Sequence, residues 1–84
     1  MPRWLIGPHR IIDVDEERME FTSNTPWTWA ERREICSYQA ISSVSCIGDF
    51  TIKVHPSYPR LWLKMMAIQT VKDVVTRWGA IDFL

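Results

Sequence analysis

The chain has 84 residues and a mass of 9.9 kDa, enough for one domain and not for two. Ten Lys plus Arg balance ten Asp plus Glu, with 46% apolar and 24% charged residues, an ordinary globular composition. These values exclude a disordered tail, a collagen-like repeat, a disulfide-dense scaffold and a nucleic-acid binder driven by net positive charge.

A domain of this size buries only about 60–65% of the surface its unfolded chain exposes, so each large side chain counts. Five Trp residues are many for such a length. Most are expected in the core, as large apolar groups are by default. A hot spot at a partner surface is the other use of Trp.

Residues 4–14 read as a strand broken at Gly7-Pro8, a turn or bulge signal. Residues 13–20 hold five acids and one base, a net of −4, and form a polar turn. Met19 and Phe21 alternate with Glu20 and Thr22 in a short second strand. Residues 22–26 are a loop. A third strand is expected from about Trp27 to Tyr38, with Trp27 and Trp29 on one face. The run Trp29-Ala30-Glu31-Arg32-Arg33-Glu34 also contains good helix formers, but the aromatic and β-branched flanks favour strand.

Residues 41–47 form an expected fourth strand, and Gly48-Asp49 a tight turn. Phe50, Ile52 and Val54 then alternate with Thr51, Lys53 and His55, completing a hairpin. After a loop at 56–59, residues 60–66 read as a sixth strand. The period then changes. Ile68, Val71, Val74, Val75 and Trp78 fall on one helical face, predicting a helix over about 68–78 that Gly79 stops. Its valines mean that packing, not propensity, holds it. The tail at 80–84 is apolar and either folds back or meets another chain. The sum is a single α+β domain over 1–84: a small bent antiparallel sheet, or β-roll, of about six strands capped by one C-terminal helix.

This order, with Tyr38-Gln39-Ala40-Ile41-Ser42-Ser43-Val44, the turn at Gly48, the alternating Phe50-Thr51-Ile52-Lys53-Val54 and the closing Ile68-Gln69-Thr70-Val71-Lys72-Asp73-Val74-Val75, resembles the bacterial pleckstrin-homology-like (PH-like) domains over about residues 35–78. The N-terminal part departs from the pattern, being short and broken at Gly7-Pro8. The resemblance implies one of three uses: phosphoinositide binding, peptide binding or oligomer scaffolding, often as rings. Fold alone does not choose among them. A phosphoinositide site needs clustered Lys or Arg near the first hairpin. Asp13, Asp15, Glu16 and Glu17 stand there instead and repel phosphate, so no lipid headgroup is expected.

No catalytic residue, metal ligand set or cofactor is assigned. His9 and His55 lie in no recognisable motif, and a Cys46–His55 nucleophile pair is weaker than an edge histidine beside a buried thiol. Cys36, Cys46, His9 and His55 lack the local spacing of a zinc site. The acidic run lacks the EF-hand pattern and reads as a solvated turn. Two cysteines, no signal-like opening and no run of about 20 apolar residues lead to the expectation of a cytoplasmic protein with reduced thiols, no membrane span and no membrane partner.

The expected function is therefore a non-catalytic protein-interaction module. Its sharper form is a phage or mobile-element accessory protein that inhibits a host protein by occluding a surface. Candidate partner-binding residues are Trp27, Trp29, Arg32, Arg33, Phe83 and Leu84. A homo-oligomer could seal an edge strand or the tail. The competing reading is a single-stranded nucleic-acid-binding domain that stacks bases on a Trp/Arg face. It is disfavoured because Arg32 and Arg33 have Glu31 and Glu34 as neighbours.

Overall fold

The computed structural model describes residues 3–6, 9–44 and 50–82. It is an α+β domain, an open antiparallel sheet with helices on one face. The strands are β1 (Arg3–Ile6), β2 (Arg10–Asp15), β3 (Glu20–Ser23), β4 (Ile41–Val44) and β5 (Thr51–Val54), in spatial order β1-β2-β3-β5-β4. Helix α1 (Trp29–Cys36) lies between β3 and β4 in sequence. After β5 the chain enters α2 (Arg60–Trp62), a π-helical turn (Leu63–Ala67) and α3 (Ile68–Asp82), which succeed one another as one C-terminal helix.

Alternation sets which sheet face is buried. Ile12 and Val14 of β2, Phe21 of β3, and Ile52 and Val54 of β5 lie in the core, with Trp4, Ile6 and Ile41 packed at its margin. The opposite face carries ion pairs, Arg3 with Asp13 at 2.6 Å and Lys53 with Glu20 at 3.4 Å. In the turn from β2 to β3, Asp15 accepts the backbone N–H groups of Glu17 and Arg18. Met19 then takes φ 57°, the left-handed region that few non-glycine residues enter. Its carbonyl accepts the Val54 N–H, which ties this turn to the end of β5. A bulge between β4 and β5 sets Ile41 opposite Val54 and Ser43 opposite Lys53. The Ser42 hydroxyl donates to the Lys53 carbonyl there.

Four expectations are corrected. Residues 4–14 are two strands of a hairpin, not one broken strand. The Gly7-Pro8 break lies outside the described residues, as does the turn at Gly48-Asp49, although β4 and β5 do pair antiparallel. The third strand at 27–38 is instead α1. Thr28 and Glu31 form a capping box: the Thr28 hydroxyl accepts the Glu31 N–H at 3.2 Å, and the Glu31 carboxylate accepts the Thr28 N–H at 2.8 Å. Two of the unpaired N–H groups at the helix start are thus satisfied, and good helix formers follow. The aromatic flanks that favoured strand lie outside the helix, Trp27 before its cap and Tyr38 after its end.

The sixth strand at 60–66 is likewise helical. Leu63, Ala67, Val71 and Val75 recur every four residues, and all are buried. The predicted face of Val71, Val74 and Val75, with Ile68 and Trp78 packed alongside, is the one that meets the core. Gly79 does not stop the helix, which continues to Asp82. A glycine in a helix interior costs only about 1 kcal/mol, too little to end a helix whose preceding turns are buried. Five strands are therefore found among the described residues, with one helix more than expected.

Candidate functional site

The segment between β3 and α1 is held by Arg10 at the start of β2. Its Nε donates to the hydroxyls of Ser23 at 3.2 Å and Thr25 at 3.0 Å. One terminal nitrogen pairs with the Glu31 carboxylate, and the other donates to the Pro26 carbonyl. The guanidinium also stacks on Trp27, 4.8 Å from the ring centroid. Glu31 is 0% exposed, so its charge is tolerable only because Arg10 and the Thr28 N–H meet both oxygens. Arg10 therefore fixes where α1 begins and how it points.

With its start fixed, α1 packs beside α3. Ile35 enters the core, and Glu34 joins the two helices. One Glu34 oxygen meets Arg77 at 2.8 Å, and the other accepts the indole N–H of Trp78. Between the helices lies an open groove of about 500 Å³, lined by Trp29, Ala30, Arg33 and Glu34 from α1 and by Arg77 and Trp78 from α3.

Trp29 occupies the first position of α1 and is 67% exposed. Arg33, one turn on, lies over its ring at 5.2 Å from the centroid, an arrangement of a cation on a π face. Two guanidinium groups and one carboxylate line the groove. Both Glu34 oxygens are occupied from within the site, so Arg33 presents the charge that no acid in the groove offsets. Chemically the groove offers an aromatic face, an apolar wall and a cation.

The expected partner-binding residues separate. Trp29 and Arg33 come together on the groove. Trp27 does not share their surface: it is 4% exposed and covered by Arg10. The shared face expected for Trp27 and Trp29 required a strand, and a helix cap between them sends the two rings apart. Arg32 is half-buried. Phe83, Leu84 and Cys46 lie outside the described residues. Arg77, Trp78 and Glu34 belong to the site and were not anticipated. Trp78 reads as a core position and Arg77 as solvent-facing, and no local pattern links them to Glu34, 44 positions from Trp78.

Cys36 is a free, exposed thiol at the end of α1. The His55 Nδ1 accepts the Ser57 N–H at 3.1 Å and lies 2.7 Å from its hydroxyl, which gives that imidazole a local role in closing the turn. Among the described residues no three His, Cys, Asp or Glu side chains gather as a metal site would require. Comparison with family models, with curated proteins and with solved structures finds no match.

Proposed function

We propose that the chain is a non-catalytic protein-interaction module whose α1–α3 groove takes an extended segment of another protein, one bearing an apolar or aromatic side chain next to a carboxylate. The observation that carries this reading is Trp29, a large apolar ring left exposed on a capped helix and held in place by Arg33. A rigid aromatic beside an Arg is the chemistry of an interface hot spot. The Arg fork matches a carboxylate in geometry as well as charge. A module this small acts by covering what it binds, which is how an accessory protein of a phage or mobile element would inhibit a host protein. The resemblance to PH-like domains bears on this reading through the C-terminal helix laid over an antiparallel sheet. Helix α1 is a departure from the element order expected for it.

Panning a displayed library of random peptides on the immobilised chain tests the proposal. Enriched sequences should carry Asp or Glu beside an apolar residue. Trp29→Ala should weaken them about thirtyfold, the loss of an anchor worth about 2 kcal/mol. No enrichment, or enrichment indifferent to Trp29→Ala, would overturn the reading. Single-stranded nucleic acid is the competing occupant. It needs a track of cations beside the stacking ring, and here Glu34 interrupts the pair Arg33 and Arg77. Oligonucleotide binding that Arg33→Ala weakens with a reduced salt slope would favour it instead.

A further inference from the structure

The start of the C-terminal helix carries a second surface, distinct from the groove. Leu61 and Met65 are each 64% exposed and Met66 54%. The π turn groups them. Its hydrogen bond runs from the Ile68 N–H to the Leu63 carbonyl, five residues back. Residues four and five apart thus stack along this stretch, so Leu61, Met65 and Met66 form one ridge opposite buried Leu63 and Ala67.

Arg60, Lys64 and Lys72 run along one flank of that ridge at multiples of four residues. All three are exposed. None makes an ion pair with a described residue. No Asp or Glu occurs from 54 to 72, and the next acid, Asp73, accepts the Gln69 side-chain amide at 2.8 Å. An anionic occupant therefore matches this face, and a second copy of the same face would set cation against cation.

We propose that this ridge rests on an anionic bilayer surface, with Leu61, Met65 and Met66 entering the headgroup boundary and Arg60, Lys64 and Lys72 reaching lipid phosphates from the flank. An apolar row bordered by long cationic side chains is the pattern of a helix lying in the plane of an interface. The contact needs no span: among the described residues no helix is long and apolar enough to cross a membrane. It also needs no headgroup pocket. Nucleic acid shares the charge requirement but gains nothing from exposed Leu and Met.

The test is sedimentation of the full chain with vesicles of phosphatidylcholine alone and of phosphatidylcholine mixed with phosphatidylserine, at low and raised salt. Binding should require phosphatidylserine and fall with salt. Lys64→Ala and Lys72→Ala should each weaken it about fivefold. Met65→Gln with Met66→Gln should weaken it about tenfold. Circular dichroism verifies that these surface variants stay folded. Trp29→Ala should bind vesicles as the parent does, which separates this surface from the groove. No sedimentation with the anionic vesicles would overturn the proposal, as would equal sedimentation with both compositions. Binding indifferent to the Met substitutions, or capture of single-stranded DNA without vesicle binding, would do the same.

Discussion

Replacing Arg10 by Met keeps most of the side chain's length and removes its charge. Five groups lose a partner at once: the hydroxyls of Ser23 and Thr25, the carbonyls of Thr25 and Pro26, and the Glu31 carboxylate. Glu31 matters most, because its side chain is fully buried and keeps only the Thr28 N–H. Breaking one side of a buried ion pair costs about 3–5 kcal/mol. A domain of this size is stable by only about 4–12 kcal/mol. With a urea dependence of about 1 kcal/mol/M for so small a protein, Arg10→Met should lower the unfolding midpoint by about 3 M or leave the chain unfolded. The second substitution isolates the cause. Glu31→Gln preserves the capping box, since Gln serves at that position as Glu does, and removes the stranded charge. The double variant should therefore recover a large part of the loss, with a coupling energy of about 2 kcal/mol or more. Urea unfolding of all four proteins, followed by circular dichroism, measures the cycle. A midpoint shift below about 1 M for Arg10→Met, or additive losses in the double variant, would refute the account of Arg10 as the group that makes a buried Glu31 tolerable.

Phe21→Ala empties the centre of the sheet's buried face and should cost about 3–5 kcal/mol in the same urea assay, which a conservative Phe21→Leu would largely avoid. Thr28→Ala removes the hydroxyl that accepts the Glu31 N–H and should cost about 1 kcal/mol, visible as a small midpoint shift with Ser restoring it. Cys36 is free and exposed, so an aromatic disulfide reagent should label it in the native state at a rate near that of an unfolded control. Slow labelling that speeds only on denaturation would contradict its placement.

The strands were legible where one face is buried and the other wet. Ile52 and Val54 alternate with Thr51 and Lys53, and all take the sides their period assigns. Val71, Val74 and Val75 were legible as a helical face for the same reason. Helix α1 carried its signal too, in Thr28 followed three residues later by Glu31, but the apolar content on either side outweighed it. That content belongs to tertiary packing: Trp27 is covered by Arg10 from another strand. The run Leu61-Trp62-Leu63 misled in a different way. A short apolar run does not distinguish a buried strand from a helix, and Leu61 faces outward here, contrary to its residue type. Trp29 and Arg33 were named from the sequence as residues of an expected strand, and it is helix α1 that sets them one turn apart. The rest of the groove depends on α3 arriving beside α1 with Glu34 between Arg77 and Trp78, a contact set by packing and by no local spacing.

The π turn explains how a repeat of four keeps one side of the helix buried. A regular α-helix turns about 100° per residue, so twelve steps from Leu63 to Val75 would carry the side chain about 120° around. Both residues are nevertheless in the core. The wider turn absorbs the difference and acts as one inserted residue. Deleting exposed Met66 should therefore convert the turn to plain α-helix. Eleven steps then separate the same two side chains, about 20° out of line, and the buried face keeps its register. The deletion should shift the urea midpoint by less than about 1 M, although it removes a residue from the middle of a helix. It should also shorten the exposed ridge and weaken adsorption to phosphatidylserine vesicles. A collapse in stability would show that the π turn is needed for the core. Unchanged stability with unchanged adsorption would show that the turn serves neither the core nor the surface.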